Sequence, residues 1–222
     1  MTTHLIGSPR PGWRIEKHLW RTGARRVAGV DEVGRGPLAG PVVAAAVVIP
    51  QTGGGWNTRA RWIARLRDSK LLTARQRDEL AAIIRERAEW GIAAVSVQVV
   101  DQINILQATR LAMKRALAAL PSQPDAIIVD GRDRIETEIR QEAHVDADAH
   151  CVSVAAASII AKVYRDALMC EYDRCFPGYG FADHKGYATP EHFEALRRHG
   201  YSNLHRLSFQ PVRAALGAKR DE

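Results

Sequence analysis

Residues 27–49 read VAGVDEVGRGPLAGPVVAAAVVI. Two β-branched, apolar runs, residues 27–33 and 41–49, flank a glycine-rich segment, Gly34-Arg35-Gly36-Pro37-Leu38-Ala39-Gly40. Strands that are apolar at every position, rather than at alternate ones, need cover on both faces. The stretch therefore predicts a hairpin of two buried strands. Its exception is the adjacent pair Asp31 and Glu32 at the end of the first run. Burying two carboxylates costs several kcal/mol each unless cations compensate. A divalent metal would compensate, and so would Arg35, close by in sequence. Alternatively one acid caps the turn while the other is exposed, because neighbours on a strand point to opposite faces. Both serve one site only if Glu32 already lies at the strand's end.

Outward from the hairpin, strands and helices alternate. Thr73 caps a helix expected to run to about Trp90, with Leu80, Ile83, Ile84 and Ala88 at helical spacing. Gly91 ends it, and residues 92–100 read as a strand. A second helix is expected over 102–120, closed by Pro121. Residues 126–129 form a short strand ending at Asp130-Gly131, and another is placed near 144–148. A small-residue helix over 154–172 packs closely on the sheet through Ala155, Ala156, Ala157 and Ala161. Residues 51–57 read as a flexible surface loop, and Trp13 and Trp20 lie on a short helix of a basic arm. The pattern is α/β with a mixed sheet: an arm over 1–25, a core over 26–175 and a helical subdomain of two short helices over 176–222.

Composition narrows the function. No apolar run reaches the roughly 18 residues that span a bilayer, and the most apolar stretch is too short and too far along the chain for a signal peptide. Cys151, Cys170 and Cys175 are an odd number without a CxxC pair, which speaks against a disulfide framework or zinc knuckle and for reduced thiols in a cytoplasm. The net charge of +7 favours a polyanionic partner such as nucleic acid.

The acids recur at strand ends, where open α/β sheets gather ligands: Asp31-Glu32, Asp130 and Asp146/Asp148. Carboxylates without a histidine pair or cysteine cluster suit hard cations, Mg²⁺ or Mn²⁺, rather than zinc. Two such ions about 3.5–4 Å apart stabilise both the attacking and the leaving oxygen of a phosphodiester. A dinucleotide-binding reading of Gly34, Gly36 and Gly40 meets two objections. The segment that follows is a strand, so no helix N-terminus receives a pyrophosphate, and two acids would stand beside it. What remains is a tight turn whose bare backbone lets a sugar-phosphate approach closely.

Val30-Asp31-Glu32-Val33-Gly34-Arg35-Gly36-Pro37, followed by Gly40-Pro41, resembles the opening signature of ribonuclease HII. The resemblance continues in family order through Asp68-Ser69-Lys70, Asn104-Ile105, Val129-Asp130-Gly131, the run from Ala156 to Asp166, His184-Lys185-Gly186-Tyr187 and His205-Arg206-Leu207-Ser208-Phe209, covering roughly residues 26 to 215. It implies a ribonuclease H-like mixed sheet flanked by helices, with a small C-terminal helical subdomain. It assigns metal ligation and catalysis to Asp31, Glu32, Asp130 and Asp148, with two Mg²⁺ or Mn²⁺ ions. Gly34, Arg35 and Gly36 would recognise the ribonucleotide 2′-hydroxyl, Tyr187 would stack on the neighbouring deoxyribose, and Lys70 and Ser158 would contact the nucleic-acid backbone. The implied reaction is hydrolysis of RNA in RNA–DNA hybrids and cleavage 5′ of single ribonucleotides in duplex DNA, leaving a 3′-hydroxyl and a 5′-phosphate. A monomer is expected.

One departure matters. Asp146 stands where the family often has lysine, and residues two apart on a strand share a face, so Asp146 is expected to compete for metal or raise the pKa of Asp148. It also leaves room for a rival from another class, a catalytically silent nucleic-acid-binding module on the same fold. Asp166, mid-helix beside Arg165, reads as a structural hydrogen-bond partner. His184 and His205 are divided between packing and contact with phosphate.

Overall fold

The computed structural model describes residues 10–52, 55–56 and 60–217. Residues 1–9 of the expected arm, 53, 54 and 57 of the expected loop, and 218–222 at the C-terminus lie outside them. The hairpin forms as expected: β1 (Val27–Val33) and β2 (Val42–Val48) pair antiparallel, from Ala28 opposite Val48 to Val33 opposite Val43. Every residue of β2 is buried because the strand has two covered faces. Val42, Ala44, Ala46 and Val48 pack with α3 (Val97–Ala118) through Val100, Ala108, Ala112 and Ala116. Val43, Ala45 and Val47 pack on the opposite side with α2 (Ala74–Arg87) and α5 (Val152–Cys175).

A short hairpin, β3 (Gln51–Thr52) with β4 (Gly55–Trp56), replaces part of the expected loop. β5 (Glu89–Val95) then pairs antiparallel with β2, while β6 (Ala126–Asp130) and β7 (Arg140–His144) continue the other side in parallel, giving the order β5-β2-β1-β6-β7. β1 is thus the central strand. Its last parallel pair is Val30–Val129, which sets Asp31 level with Asp130 and Glu32 one step beyond. Helix α1 (Arg14–Arg21) is fastened to the start of α5 by Glu16, whose carboxylate accepts from the Ser153 amide and hydroxyl, both at 3.0 Å.

Several boundaries differ from the sequence reading. Helix α2 ends at Arg87, and Ala88 is already extended. Gly91 lies inside β5 because α3 crosses it so closely that a Cβ would come within 2.2 Å of the Ala116 carbonyl oxygen. Residues 97–100 are helical, not strand, and α3 is interrupted at Asn104 (φ 63°, ψ 165°). The Asn104 side chain accepts from the amides of Leu106 and Gln107 at 3.0 and 3.1 Å, capping the second half afresh. The last strand is β7 at Arg140–His144, not 144–148, because Asp146 adopts a left-handed conformation (φ 56°) that begins the one-turn helix α4 (Ala147–His150). Among the described residues the C-terminal region holds three helices rather than two: α6 (Phe181–His184), α7 (Pro190–His199) and α8 (Gln210–Gly217). Between α7 and α8 the chain returns to the β1–β2 turn. The Gly40 amide donates to the Leu204 carbonyl at 2.8 Å, and the Arg206 amide to that of Leu38 at 2.9 Å.

Candidate active site

Asp31 faces α5 at the end of β1 and is 5% exposed. It accepts from the Glu32 amide at 2.7 Å, and the nearby Ser158 hydroxyl favours its charged form. The Ser158 oxygen lies 3.0 Å from that of Ser69. Each hydroxyl has one proton and accepting lone pairs, so either serine can be the donor between the two. Glu32 points the other way, its carboxylate 3.4 Å from the Arg35 guanidinium. Asp130 closes β6 and accepts from the Ala147 amide at 2.6 Å, so it caps the very turn, α4, that carries Asp148. One acid of the set thereby positions another. Lys70 joins them, its ammonium 3.8 Å from Asp148 and 4.0 Å from Asp68.

The electrostatics are those of a site with surplus negative charge. Burial, then the charges of Glu32 and Asp130, hold Asp31 well above the usual carboxylate range. Glu32 is raised by burial and by Asp130 against the pull of Arg35, and Asp130 is raised mainly by burial. Burial, Asp68 and Asp130 push Asp148 up to about 6, with Lys70 opposing. Like charges that raise one another's pKa are relieved by a cation between them. All-oxygen donors at strand ends therefore fit a divalent hard cation. Among the described residues no three or more Asp, Glu, His or Cys side chains stand close enough together to hold one ion by themselves. The set suits open sites completed by water and substrate oxygens, as Mg²⁺ prefers.

Nine of the ten expected site residues line one cleft of about 290 Å³: Asp31, Glu32, Gly34, Arg35, Gly36, Lys70, Asp130, Ser158 and Tyr187. Asp148 is outside the lining and joins it through Lys70. Tyr187 is 42% exposed, and its ring borders Gly36 closely enough that a Cβ there would come 3.9 Å from Cε1. Gly34 takes φ +91° beneath the Arg165 side chain, a conformation and a space that exclude any larger residue.

Asp146 does not share a strand face with Asp148. It is exposed at the left-handed start of α4, and its charge is felt at Asp130 instead. Asp166 has the structural role expected: it accepts from Lys162 at 2.8 Å and lies 3.7 Å from Arg77. His184 packs, bonded to the Tyr179 carbonyl at 2.7 Å and accepting from the Gly186 amide at 3.1 Å.

Sequence reasoning missed four participants. Ser69 and Lys162 line the cleft although neither stood out from its motif. Arg165 and Arg206, both 0% exposed, direct their guanidiniums at main-chain carbonyls. Arg165 reaches Pro41, Lys185 and Ala39 at 3.0 to 3.1 Å. Arg206 reaches Gly34 at 2.5 Å, Arg35 at 2.8 Å and Gly40 at 2.8 and 3.1 Å. Burial and the neighbouring Arg165 bring Arg206 down to about 9. An arginine in a helix or loop reads as surface, so no local signal marked either.

The family model for ribonuclease HII matches residues 28–212. The ribonuclease HII of Moorella thermoacetica is 52% identical over 196 residues, covering 88% of this chain and 91% of that protein. Among solved structures, the ribonuclease H2 from Pyrococcus horikoshii OT3 superposes with a TM-score of 0.74 at 29% identity, covering 89% of this chain and all of that one. Bst-RNase HIII, solved in complex with Mn²⁺, superposes with a TM-score of 0.61 at 25% identity, covering 90% of this chain and 72% of that one. The chain belongs to the ribonuclease HII family of metal-dependent endoribonucleases.

Proposed function

We propose that the chain hydrolyses the RNA strand of RNA–DNA hybrids and cuts 5′ of single ribonucleotides in duplex DNA, leaving a 3′-hydroxyl and a 5′-phosphate. The observation that carries this reading is the meeting of Asp31, Glu32 and Asp130 with the Gly34-Arg35-Gly36 turn and Tyr187 in one cleft. In it, Asp31, Glu32, Asp130 and Asp148 hold two divalent cations, Mg²⁺ or Mn²⁺. When bound, these neutralise the phosphate and supply an activated water. The protein's part is placement. The Ser158 hydroxyl, bonded to Ser69, favours the charged form of Asp31, Asp130 fixes the turn bearing Asp148, and Lys70 with Ser158 contacts the nucleic-acid backbone. The bare main chain of Gly34 and Gly36 admits the ribose 2′-hydroxyl, with Arg35 beside it, while the Tyr187 ring stacks on the next sugar. No side chain is required as general base. Residues 26–175 act as the catalytic core, and 176–222 form the subdomain that brings Tyr187.

The test is cleavage of an end-labelled DNA duplex carrying one ribonucleotide, with Mg²⁺, with Mn²⁺ and with chelator. A single cut 5′ of the ribonucleotide, abolished by chelator, is expected. Asp130→Asn should lower turnover at least about a hundredfold, roughly 2.7 kcal/mol in the barrier. Near-normal turnover in that variant would remove Asp130 from the metal set. Duplex binding without cleavage under either metal would instead support a silent binding module.

A further inference from the structure

Behind Tyr187 lies a hydrogen-bonded chain of side chains that takes no part in the reading above. His192 is 0% exposed and His205 2%. Their Nε2 atoms are 3.0 Å apart, so one must donate and the other accept. The outer partners decide which. The Ser202 amide, a donor only, lies 2.9 Å from His205 Nδ1, so that nitrogen is the acceptor and Nε2 carries the proton. At the other end, His192 Nδ1 lies 2.8 Å from the Tyr187 carbonyl, an acceptor only, so Nδ1 carries the proton and Nε2 accepts. Every donor is matched in one direction: Ser202 amide to His205, His205 to His192, His192 to the Tyr187 carbonyl. Both rings are neutral in this arrangement, with the Ser202 hydroxyl, 3.0 Å from the same His205 Nδ1, as a second donor to it.

His205 is followed directly by Arg206, whose guanidinium grips the carbonyls of Gly34 and Arg35. The same short segment pairs with the turn through Ala39 opposite His205. Two consecutive residues therefore reach the two elements that border the ribonucleotide side of the cleft, one through a guanidinium and the other through a second imidazole. We propose that His205, acting through His192, is a positioning residue that sets Tyr187 against the Gly34-Arg35-Gly36 turn held by Arg206, and so governs preference for a ribonucleotide–deoxyribonucleotide junction. The inference rests on Tyr187 reading that junction. The low proton affinity of both imidazoles, brought down to about 4 chiefly by burial, agrees with a neutral pair.

The experiment measures kcat/KM on a duplex with one ribonucleotide and on a continuous RNA–DNA hybrid, and takes their ratio. His205→Leu should lower the ratio about tenfold, toward the value for Tyr187→Ala. His205→Gln, whose amide places an N–H near the Nε2 position, should restore most of it. In the Tyr187→Ala background, His205→Leu should have no further effect on the ratio, because its route to the substrate is gone. Equal loss on both substrates, or effects of His205→Leu and Tyr187→Ala that multiply, would overturn the proposal. Were His205→Leu not to fold, His192→Asn and His192→Gln replace it. The former keeps a donor near the Nδ1 position and should preserve the ratio; the latter does not and should lower it, and equal ratios would count against the relay. An unchanged ratio in Tyr187→Ala alone would locate the failure in the role given to Tyr187, and the proposal would fall with it.

Discussion

His192 and His205 touch Phe181 and each other in the interior, with His184 stacked on His192 at a centroid distance of 4.4 Å. Their proton affinity carries a sign for stability. Burial holds both at about 4 in the folded chain, against about 6.5 for an exposed imidazole. As pH falls through about 6.5, the unfolded chain binds protons that the folded chain refuses. The stabilisation is therefore complete above that pH and is lost progressively down to about 4. One imidazole shifted this far is worth on the order of 3 kcal/mol at neutral pH. The acids of the cleft act in the opposite sense, since their raised pKa values let the folded chain take up protons first. A comparison between the wild type and His205→Gln cancels them. The stability difference, read from denaturant midpoints, should be largest above pH 7 and shrink toward pH 4.5. A difference independent of pH would mean that His205 is not held neutral.

At the scale of elements, the site depends on how closely α5 lies on β1. A Cβ on Gly29 would come within 2.2 Å of the Ser153 carbonyl carbon and the Val154 amide nitrogen, both main-chain atoms that no rotamer change can move. Gly29→Ala must push the helix off the strand, and overpacking of this kind costs about 1–3 kcal/mol or more. Because α5 also carries Ser158, whose hydroxyl favours the charged form of Asp31, the displacement should lower cleavage as well as Tm. Unchanged Tm and turnover would show that the helix can yield without cost. This arrangement also explains what could be read from the chain alone. The hairpin was legible because both faces of β2 are buried, leaving an unbroken apolar run, and the acids were legible because they interrupt such runs. β7 was misplaced because Arg140–His144 is a partly exposed edge strand without an apolar face. The alternation of Val145-Asp146-Ala147-Asp148 imitated a strand that the left-handed Asp146 forbids. The start of α3 was misread because the β-branched residues before the break at Asn104 carry strand propensity, overridden by packing of Val97 and Val100 in the core. Arg165 and Arg206 were invisible for another reason: most of their partners are carbonyls from segments distant in sequence, while the partners of His192, near in sequence, are a carbonyl and an imidazole that no pattern marks.

Across the whole molecule, a net charge of +7 surrounds a cleft whose floor is acidic. The two signs act at different ranges. The overall charge draws a polyanion from solution and is screened by salt beyond about 8–10 Å, whereas the acids act only on what reaches the floor. Among the described residues three cations line the cleft itself, Arg35, Lys70 and Lys162. Were each to neutralise one phosphate, the dependence of log binding constant on log salt would have a slope of about −2.7. A rise from 50 to 200 mM KCl would then weaken hybrid binding about fortyfold. Lys70 separates the two ranges, because it can face the phosphates or stay with Asp148 and Asp68. If it neutralises phosphate, Lys70→Gln should make the slope shallower by about 0.9. If its charge is committed to the acids, the slope stays the same while the metal requirement changes, because an ammonium that competed with the cation is gone. Titrations of hybrid binding against salt, run beside titrations of activity against Mn²⁺, distinguish these outcomes. A flat salt dependence in the wild-type chain would show that its basic surface is not what brings the substrate to the acids.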